Sequence, residues 1–176
     1  MALLSLSEEY SNRLENYIYD VTDHMDKIKT YSEQCTSITE LGISNVCATF
    51  ALMMGKPATL VSYDAAPVEP KEVDRNDLVA LALENGIAYS FIEEDPTIAN
   101  IDSTDLLFVH ETLDYSRLSA QLSLHGNKAS KFIIIPMFDV DRASFRQTIE
   151  GFVSANPSWT VAEDIVAWCD FVVLSK

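Results

Sequence analysis

The sequence predicts an α/β fold in which helices cover both faces of a mostly parallel β-sheet. Short apolar runs alternate with amphipathic helical patterns, as in consecutive strand–helix–strand units with right-handed crossovers. The nearly continuous apolar runs, such as 131–138, indicate strands that are buried on both faces. The chain then ends on two closely joined strand patterns, 159–168 and 170–176, which predict an antiparallel hairpin at one edge of the sheet.

The first part of the chain has the periodicity of helices. Between residues 5 and 34, apolar side chains recur every three or four positions, as on the buried stripe of a helix, and a break near Asp20 divides the pattern. The residues of this stripe are Tyr10, Leu14, Tyr17, Val21, Met25 and Ile28. We therefore expect one domain over 1–176, with an N-terminal helical segment over 1–35 and the α/β core over 36–176.

Five strand patterns and four helix patterns lie between residues 36 and 156, and they alternate except that the third and fourth strands follow each other directly. The strands are predicted at 36–43, 58–64, 87–95, 105–110 and 131–138, and the helices at 44–55, 73–86, 114–126 and 141–156. Asp74 is the predicted N-cap of the second of these helices, which Gly86 ends, and Asn156-Pro157 ends the fourth. The strand at 131–138 is the most apolar, and we expect it to be central.

Composition excludes several classes of function. The 176 residues favour a single domain, and a hydrophobic content of 48% is enough for a sizeable core. A net charge of −15 opposes binding to nucleic acid or to an anionic membrane surface, so neither is an expected partner. No apolar stretch approaches the roughly 20 residues that span a bilayer. Three cysteines without paired spacing indicate neither a disulfide framework nor a zinc knuckle, and we expect a cytoplasmic location.

Candidate ligand contacts follow the predicted strands, because open parallel sheets bind ligands at the carboxyl ends of their strands. In ELGISN, Gly42 is the one glycine left of a nucleotide-binding turn. Asp64 comes 22 residues later, close to the roughly 20-residue spacing at which a carboxylate binds ribose hydroxyls. Glu94 and Asp95 follow the third strand, where an adenine amino group can be met. These features favour an adenosine-containing cofactor, with solvated turn residues as an evenly weighted alternative.

The order of elements and several blocks of sequence resemble the class I S-adenosylmethionine-dependent methyltransferases, and the small bacterial and phage-type members most closely. The similar blocks include ELG, SYD and EED, DVTDHM (20–25), SITELGIS (37–44), residues 105–134 and IEGFVSANPSW (149–159). They extend over nearly the whole chain from about residue 19. The resemblance implies a three-layer Rossmann-like sandwich, seven strands with an antiparallel last strand, and S-adenosylmethionine (SAM) bound across the first two strands.

The resemblance also implies roles for individual residues. Glu40 and Gly42 would flank the methionine portion of SAM, Asp64 would hold the ribose and Asp95 would face the adenine. The full set of expected cofactor contacts is Glu40, Gly42, Ser44, Asp64, Ala65, Glu94, Asp95 and His110.

The acceptor side departs from the pattern of the family. Many relatives have a strand-end Asp, a His-Thr-Tyr element and a His-Asp pair that hold a metal or the acceptor. This chain instead has His110, Leu113-Asp114-Tyr115 and Pro136-Met137, so we expect no metal. His110 is the candidate general base, with a structural or cofactor-stacking histidine as the favoured alternative. Glu111 and Tyr115 are candidate acceptor contacts, although a helix-start acid and a core aromatic are commoner roles.

These observations predict a metal-independent, SAM-dependent methyltransferase that acts on a small-molecule or protein acceptor. Two alternatives stay open. The first is a non-catalytic protein that binds SAM or S-adenosylhomocysteine (SAH) as a sensor or partner subunit, and the second is an enzyme that cleaves the sulfonium. A nicotinamide dehydrogenase fits less well, because of the closing hairpin and the single glycine of the turn. The acceptor and the oligomeric state stay open, a homo-oligomer being one alternative.

Overall fold

A computed structural model describes residues 4–16, 21–43, 46–65, 75–110, 114–138, 141–167 and 169–176. The strands in these residues are β1 (Ser37–Leu41), β2 (Thr59–Asp64), β3 (Ala88–Glu93), β4 (Thr104–Val109), β5 (Ala129–Phe138), β6 (Thr160–Ile165) and β7 (Cys169–Ser175). The helices are α1 (Leu6–Asn16), α2 (Met25–Ser32), α3 (Cys47–Met54), α4 (Arg75–Glu84), α5 (Tyr115–His125) and α6 (Arg142–Ala155). Short 3₁₀ turns at Thr22–His24 and Gly126–Lys128 precede α2 and β5.

The seven strands form one sheet in the order β3-β2-β1-β4-β5-β7-β6. Strands β1 to β5 pair in parallel, whereas β7 is antiparallel to both of its neighbours, β5 and β6. The predicted fold class, with its closing hairpin, is therefore confirmed. One detail differs: β4 is the middle strand and β5 lies beside it. The long apolar run of β5 reflects its burial between β4 and β7, not a place at the centre.

Two hydrophobic cores lie on opposite faces of the sheet. One contains apolar side chains of α1, α2, α3 and α4, and the other contains those of α5 and α6. Strand β4 contributes to both, because Leu106 and Phe108 lie in the first core while Leu107 and Val109 lie in the second. This arrangement explains why the β4 sequence is apolar at successive positions rather than at alternate ones.

Aspartates cap the two helices that follow β4 and β5. The Asp114 carboxylate accepts from the backbone N–H groups of Ser116 and Arg117 at the start of α5. Asp141 accepts in the same way at the start of α6. Both helices thus begin at the edge of the sheet where β4 and β5 end. The predicted cap Asp74 and the predicted break at Asp20 lie outside the described residues.

Among the residues that the structure describes, no helix is both long enough and apolar enough to cross a membrane.

Candidate functional site

The carboxyl ends of β1, β2 and β4 bring three of the predicted site residues side by side. Gly42 follows β1, Asp64 is the last residue of β2 and His110 follows β4, and the three strands end in register. The Gly42 N–H donates to the Tyr63 carbonyl oxygen at 2.8 Å, and the His110 N–H donates to the Leu41 carbonyl oxygen at 2.8 Å. The sheet ladder therefore continues into the residues that form the site.

Gly42 occupies a position that no other residue type fits. Its φ of +86° is in the left-handed region, and a Cβ atom on Gly42 would lie 2.4 Å from the carbonyl oxygen of His110. The next residue, Ile43, donates its N–H to Oδ2 of Asp64 at 2.8 Å. The turn after β1 is thus fixed to both neighbouring strands, and it holds the half-buried Asp64 carboxylate in place.

Val46 adopts a conformation that the sequence does not predict. The helical pattern placed it inside the helix over 44–55, but α3 begins at Cys47 and Val46 has a φ of +56° with its side chain only 2% exposed. A left-handed conformation costs an L-residue roughly 1–2 kcal/mol, and it is least common for β-branched side chains. Val46 directly follows the ELGISN segment, whose Ser44, an expected cofactor contact, lies outside the described residues.

Glu40 is a buried carboxylate below this edge. It is 1% exposed and accepts from the Thr49 hydroxyl at 3.0 Å to each oxygen and from the Ser62 hydroxyl at 2.6 Å. Burial raises the pKa of Glu40 to about 7, although the hydroxyl hydrogen bonds and the nearby His110 imidazole lower it in part. Glu40 therefore exchanges its proton near neutral pH instead of carrying a fixed charge.

The sequence reasoning missed the two hydroxyl partners of Glu40. Ser62 lies directly opposite Glu40 in the parallel pairing of β1 and β2. Thr49 comes nine residues after Glu40, on α3. The sequence does contain a signal for this contact, because Glu40 and Ser62 are polar residues within two neighbouring predicted strands. A buried carboxylate requires hydrogen-bond donors, and a hydroxyl on the adjacent strand can supply one.

Two of the three predicted catalytic residues, His110 and Tyr115, lie in the described structure, and each has its own contacts. His110 is 8% exposed and its ring lies edge-on to Phe108, with ring centroids 6.1 Å apart. The Tyr115 hydroxyl donates to the Asp141 carbonyl oxygen at 3.1 Å, which joins the starts of α5 and α6. Burial and the nearby Asp141 raise the pKa of Tyr115. Glu111 lies outside the described residues.

The acids after β3 have different surroundings. The Asp95 carboxylate accepts from the Thr97 N–H at 2.9 Å and from Nη2 of Arg117 at 3.0 Å, so it closes a turn and ties that turn to α5. The hydrogen bonds from Thr97 and Arg117 lower the pKa of Asp95 to about 2. Glu94 and Ala65 are exposed. Because Asp95 is engaged within the chain, Glu94 is the more accessible of the two acids, and the adenine contact stays a prediction.

In the described ranges, no group of three or more His, Cys, Asp or Glu side chains is arranged to hold a metal ion. Pro136 and Met137, where the resemblance implied a His-Asp pair, are apolar and lie within β5. Pro136 pairs with Phe171 of β7, and Met137 is buried.

Comparison with known proteins finds similarity at the level of structure. No family model matches the chain, and no curated protein matches its sequence. Magnesium protoporphyrin IX methyltransferase from Synechocystis PCC 6803, solved with bound SAM, is 12% identical with a TM-score of 0.57, over 97% of this chain and 91% of that chain. Cofactor-bound Rv0187 from MTB is 17% identical with a TM-score of 0.65, over 96% of this chain and 87% of that one.

A third solved structure, the plantazolicin methyltransferase BpumL in complex with SAH, is 11% identical with a TM-score of 0.64 and covers 96% of this chain and 89% of that chain. The acceptors named for these proteins differ, whereas the strand arrangement is shared. The predicted resemblance is thus confirmed at the level of the fold: the chain has the fold of the class I SAM-dependent methyltransferases.

Proposed function

We propose that the chain is a methyltransferase that binds SAM at the sheet edge formed by Gly42, Asp64 and His110. The observation that carries this proposal is that Gly42, Asp64 and His110 lie in one row at the carboxyl ends of three adjacent parallel strands. The row combines a glycine turn, a half-buried carboxylate that is hydrogen-bonded to that turn, and an imidazole. Ligands of open parallel sheets bind at this edge. Solved proteins of this fold hold SAM or SAH.

The side chains at this edge have the chemistry that SAM requires. A carboxylate has about four lone-pair sites, so Asp64 can accept from the hydroxyls of a ribose while it accepts from Ile43. Glu40, one residue before the end of β1, supplies a second carboxylate near the turn, which favours a cationic ligand when it is ionised. The missing side chain of Gly42 lets the end of β4 approach the turn, because the carbonyl oxygen of His110 occupies the space that a Cβ would need.

Bound SAM would supply a methyl group on a sulfonium, which is already activated as a leaving group. The chain must then align the acceptor and, where the acceptor carries a proton, remove it. We propose that His110 accepts this proton, because its imidazole follows the middle strand β4 beside the Gly42 turn. The low exposure of His110 helps to exclude water from that step.

We further propose that transfer needs no metal and that the acceptor is not a nucleic acid. The apolar Pro136 and Met137 replace the His-Asp pair of relatives, and the net charge of −15 repels a phosphate backbone. We also propose a cytoplasmic location, because Cys35, Cys47 and Cys169 are buried free thiols, as expected in a reducing compartment.

Substituting Asp64 tests the placement of the cofactor. Asp64→Ala is expected to weaken SAM binding by roughly 10- to 100-fold, because it removes a ribose acceptor and the partner of the Ile43 N–H. Asp64→Asn keeps an oxygen for that N–H and should lie between Asp64→Ala and the wild type. Isothermal titration calorimetry measures all three affinities.

The matched control is Glu150→Ala, which removes one negative charge from an exposed position of α6, far from the strand ends. Its SAM affinity should equal that of the wild type. Unchanged affinity in Asp64→Ala would contradict the placement of the ribose.

A second candidate function is SAM or SAH binding without transfer, which the substitutions at Pro136 and Met137 favour. Both functions predict binding, but only the methyltransferase predicts that SAH accumulates when SAM and candidate acceptors are supplied together. His110→Ala should then stop SAH formation while SAM still binds. SAM loss with no methylated product would instead indicate cleavage of the sulfonium.

A further inference from the structure

A buried carboxylate lies at the same edge of the sheet, on the far side of His110 from Asp64. Asp170 of β7 pairs with Met137 of β5, and β5 is the neighbour of β4, the strand that His110 follows. Adjacent strands are about 4.8 Å apart, so Asp170 is displaced from the β4 end by roughly 10 Å across the sheet. That distance suits the far end of a small acceptor whose reacting atom lies near His110.

Asp170 holds one arginine in a fixed position. Although it is only 1% exposed, the Asp170 carboxylate accepts from Nε of Arg142 at 3.1 and 3.0 Å and from the Ala167 N–H at 3.2 Å. Nη2 of Arg146 is 3.5 Å from the same carboxylate. A buried carboxylate is stable only when it is paired and hydrogen-bonded. The hydrogen bonds that satisfy Asp170 therefore also restrict the orientation of the Arg142 guanidinium.

The described partners of Arg142 use only part of its five N–H donors. Its Nε–H donates to Asp170 and its Nη2 donates to the Ala167 carbonyl oxygen at 2.6 Å, so one long edge of the planar group is used. The side chain is nevertheless 54% exposed. The end of the guanidinium that carries both terminal nitrogens can therefore bind two oxygens of one anion side by side, the geometry in which arginine recognises carboxylates and phosphates.

The local charge favours a carboxylate over a phosphate. Arg142 and Arg146 are balanced by Asp170 and by Asp164, which pairs with Arg146. These four groups are formally neutral, but the Asp141 carboxylate that caps α6 beside Arg142 adds a negative charge, and the whole chain has a net charge of −15. A dianionic phosphate would therefore meet more repulsion here than a singly charged carboxylate.

We propose that Arg142 binds a carboxylate of the methyl acceptor and thereby makes the enzyme specific for acidic small molecules. The inference rests on the proposed methyltransferase function and assigns the class of its substrate. Asp170 acts as a positioning residue that orients the Arg142 guanidinium.

Nuclear magnetic resonance of the wild-type protein saturated with SAH tests this proposal. Benzoate serves as the carboxylate probe and benzamide as its neutral counterpart of the same shape. Benzoate is expected to shift the side-chain Nε–H resonance of Arg142 in a saturable way, and benzamide is expected to leave it unchanged. The Arg142→Lys variant identifies this resonance, because it lacks the guanidinium. A wild-type spectrum that does not respond to benzoate, or that responds equally to benzamide, would overturn the proposal.

Variants give a second reading of the same site. Arg142→Gln should weaken benzoate binding by roughly tenfold or more, since the charge and the paired donors are both lost. Lys56→Gln removes an exposed positive charge after α3, at the opposite end of the sheet, and should bind benzoate like the wild type. Equal benzoate affinity in Arg142→Gln and wild type would overturn the inference. Calorimetry with SAH on the same samples separates the two proposals: absence of SAH binding overturns the methyltransferase function, whereas SAH binding without a benzoate response overturns the acceptor class alone.

Discussion

Replacing Gly42 by alanine is expected to destabilise the fold and to distort the turn after β1, where we propose that SAM binds. The added Cβ would lie 2.4 Å from the His110 carbonyl oxygen, and the φ of +86° is unfavourable for any residue with a side chain. The obstructing atom belongs to the backbone, so one of the two chain segments must move. We expect urea denaturation to show a loss of unfolding free energy on the order of 2–4 kcal/mol.

Gly86→Ala is the matched control for this substitution. Gly86 has a similar φ of +76°, but a Cβ there would have no atom of the described structure within 4 Å. The variant should therefore show the conformational cost alone, about 1 kcal/mol. Equal losses in the two variants would contradict the close approach of Gly42 to the end of β4.

Replacing Glu40 by glutamine is expected to change how stability depends on pH. Burial raises the pKa of Glu40 to about 7 in the folded chain, from an ordinary value of 4.5. The stability that neutral Glu40 contributes is therefore fully present below the unfolded pKa, and it is lost as the pH rises through the folded pKa. Glutamine stays neutral, so Glu40→Gln should gain stability relative to the wild type by up to roughly 3 kcal/mol as the pH rises from about 4.5 to 8.

Urea denaturation of both proteins at several pH values measures this difference. The control Glu150→Gln replaces an exposed carboxyl of α6 and should follow the wild-type profile. Parallel profiles for Glu40→Gln and wild type would show that folding does not raise the pKa of Glu40, so that it is ionised at neutral pH. The hydroxyls of Thr49 and Ser62 would then have to hold a buried charge.

The fold was predictable because its signals are local and repeated. Strands such as β4 are apolar at successive positions, and α5 and α6 begin at aspartates with the expected capping geometry. The closing hairpin was equally clear from two adjacent strand patterns. The order of the strands could not be predicted from local patterns. Strand β4 is central because the chain crosses from β3, at one edge, to the other side of β1.

The candidate site was predictable only in part. Gly42, Asp64 and His110 follow from the rule that ligands bind at strand ends, and the structure brings them into one row. Asp95 follows β3, but Thr97 and Arg117 donate hydrogen bonds to its carboxylate, and such local partners cannot be predicted from spacing. The Arg142–Asp170 pair joins residues 28 positions apart in the chain, so it becomes visible only once β7 is placed beside β5.

Titration of the purified chain with SAM, and separately with SAH, tests the central claim most directly. The row of Gly42, Asp64 and His110 predicts saturable binding of both ligands at about micromolar affinity, without added metal. Circular dichroism of the same sample establishes that the protein is folded. A folded protein that gives no heat with either ligand would contradict the cofactor site, leaving a methyltransferase fold without its cofactor.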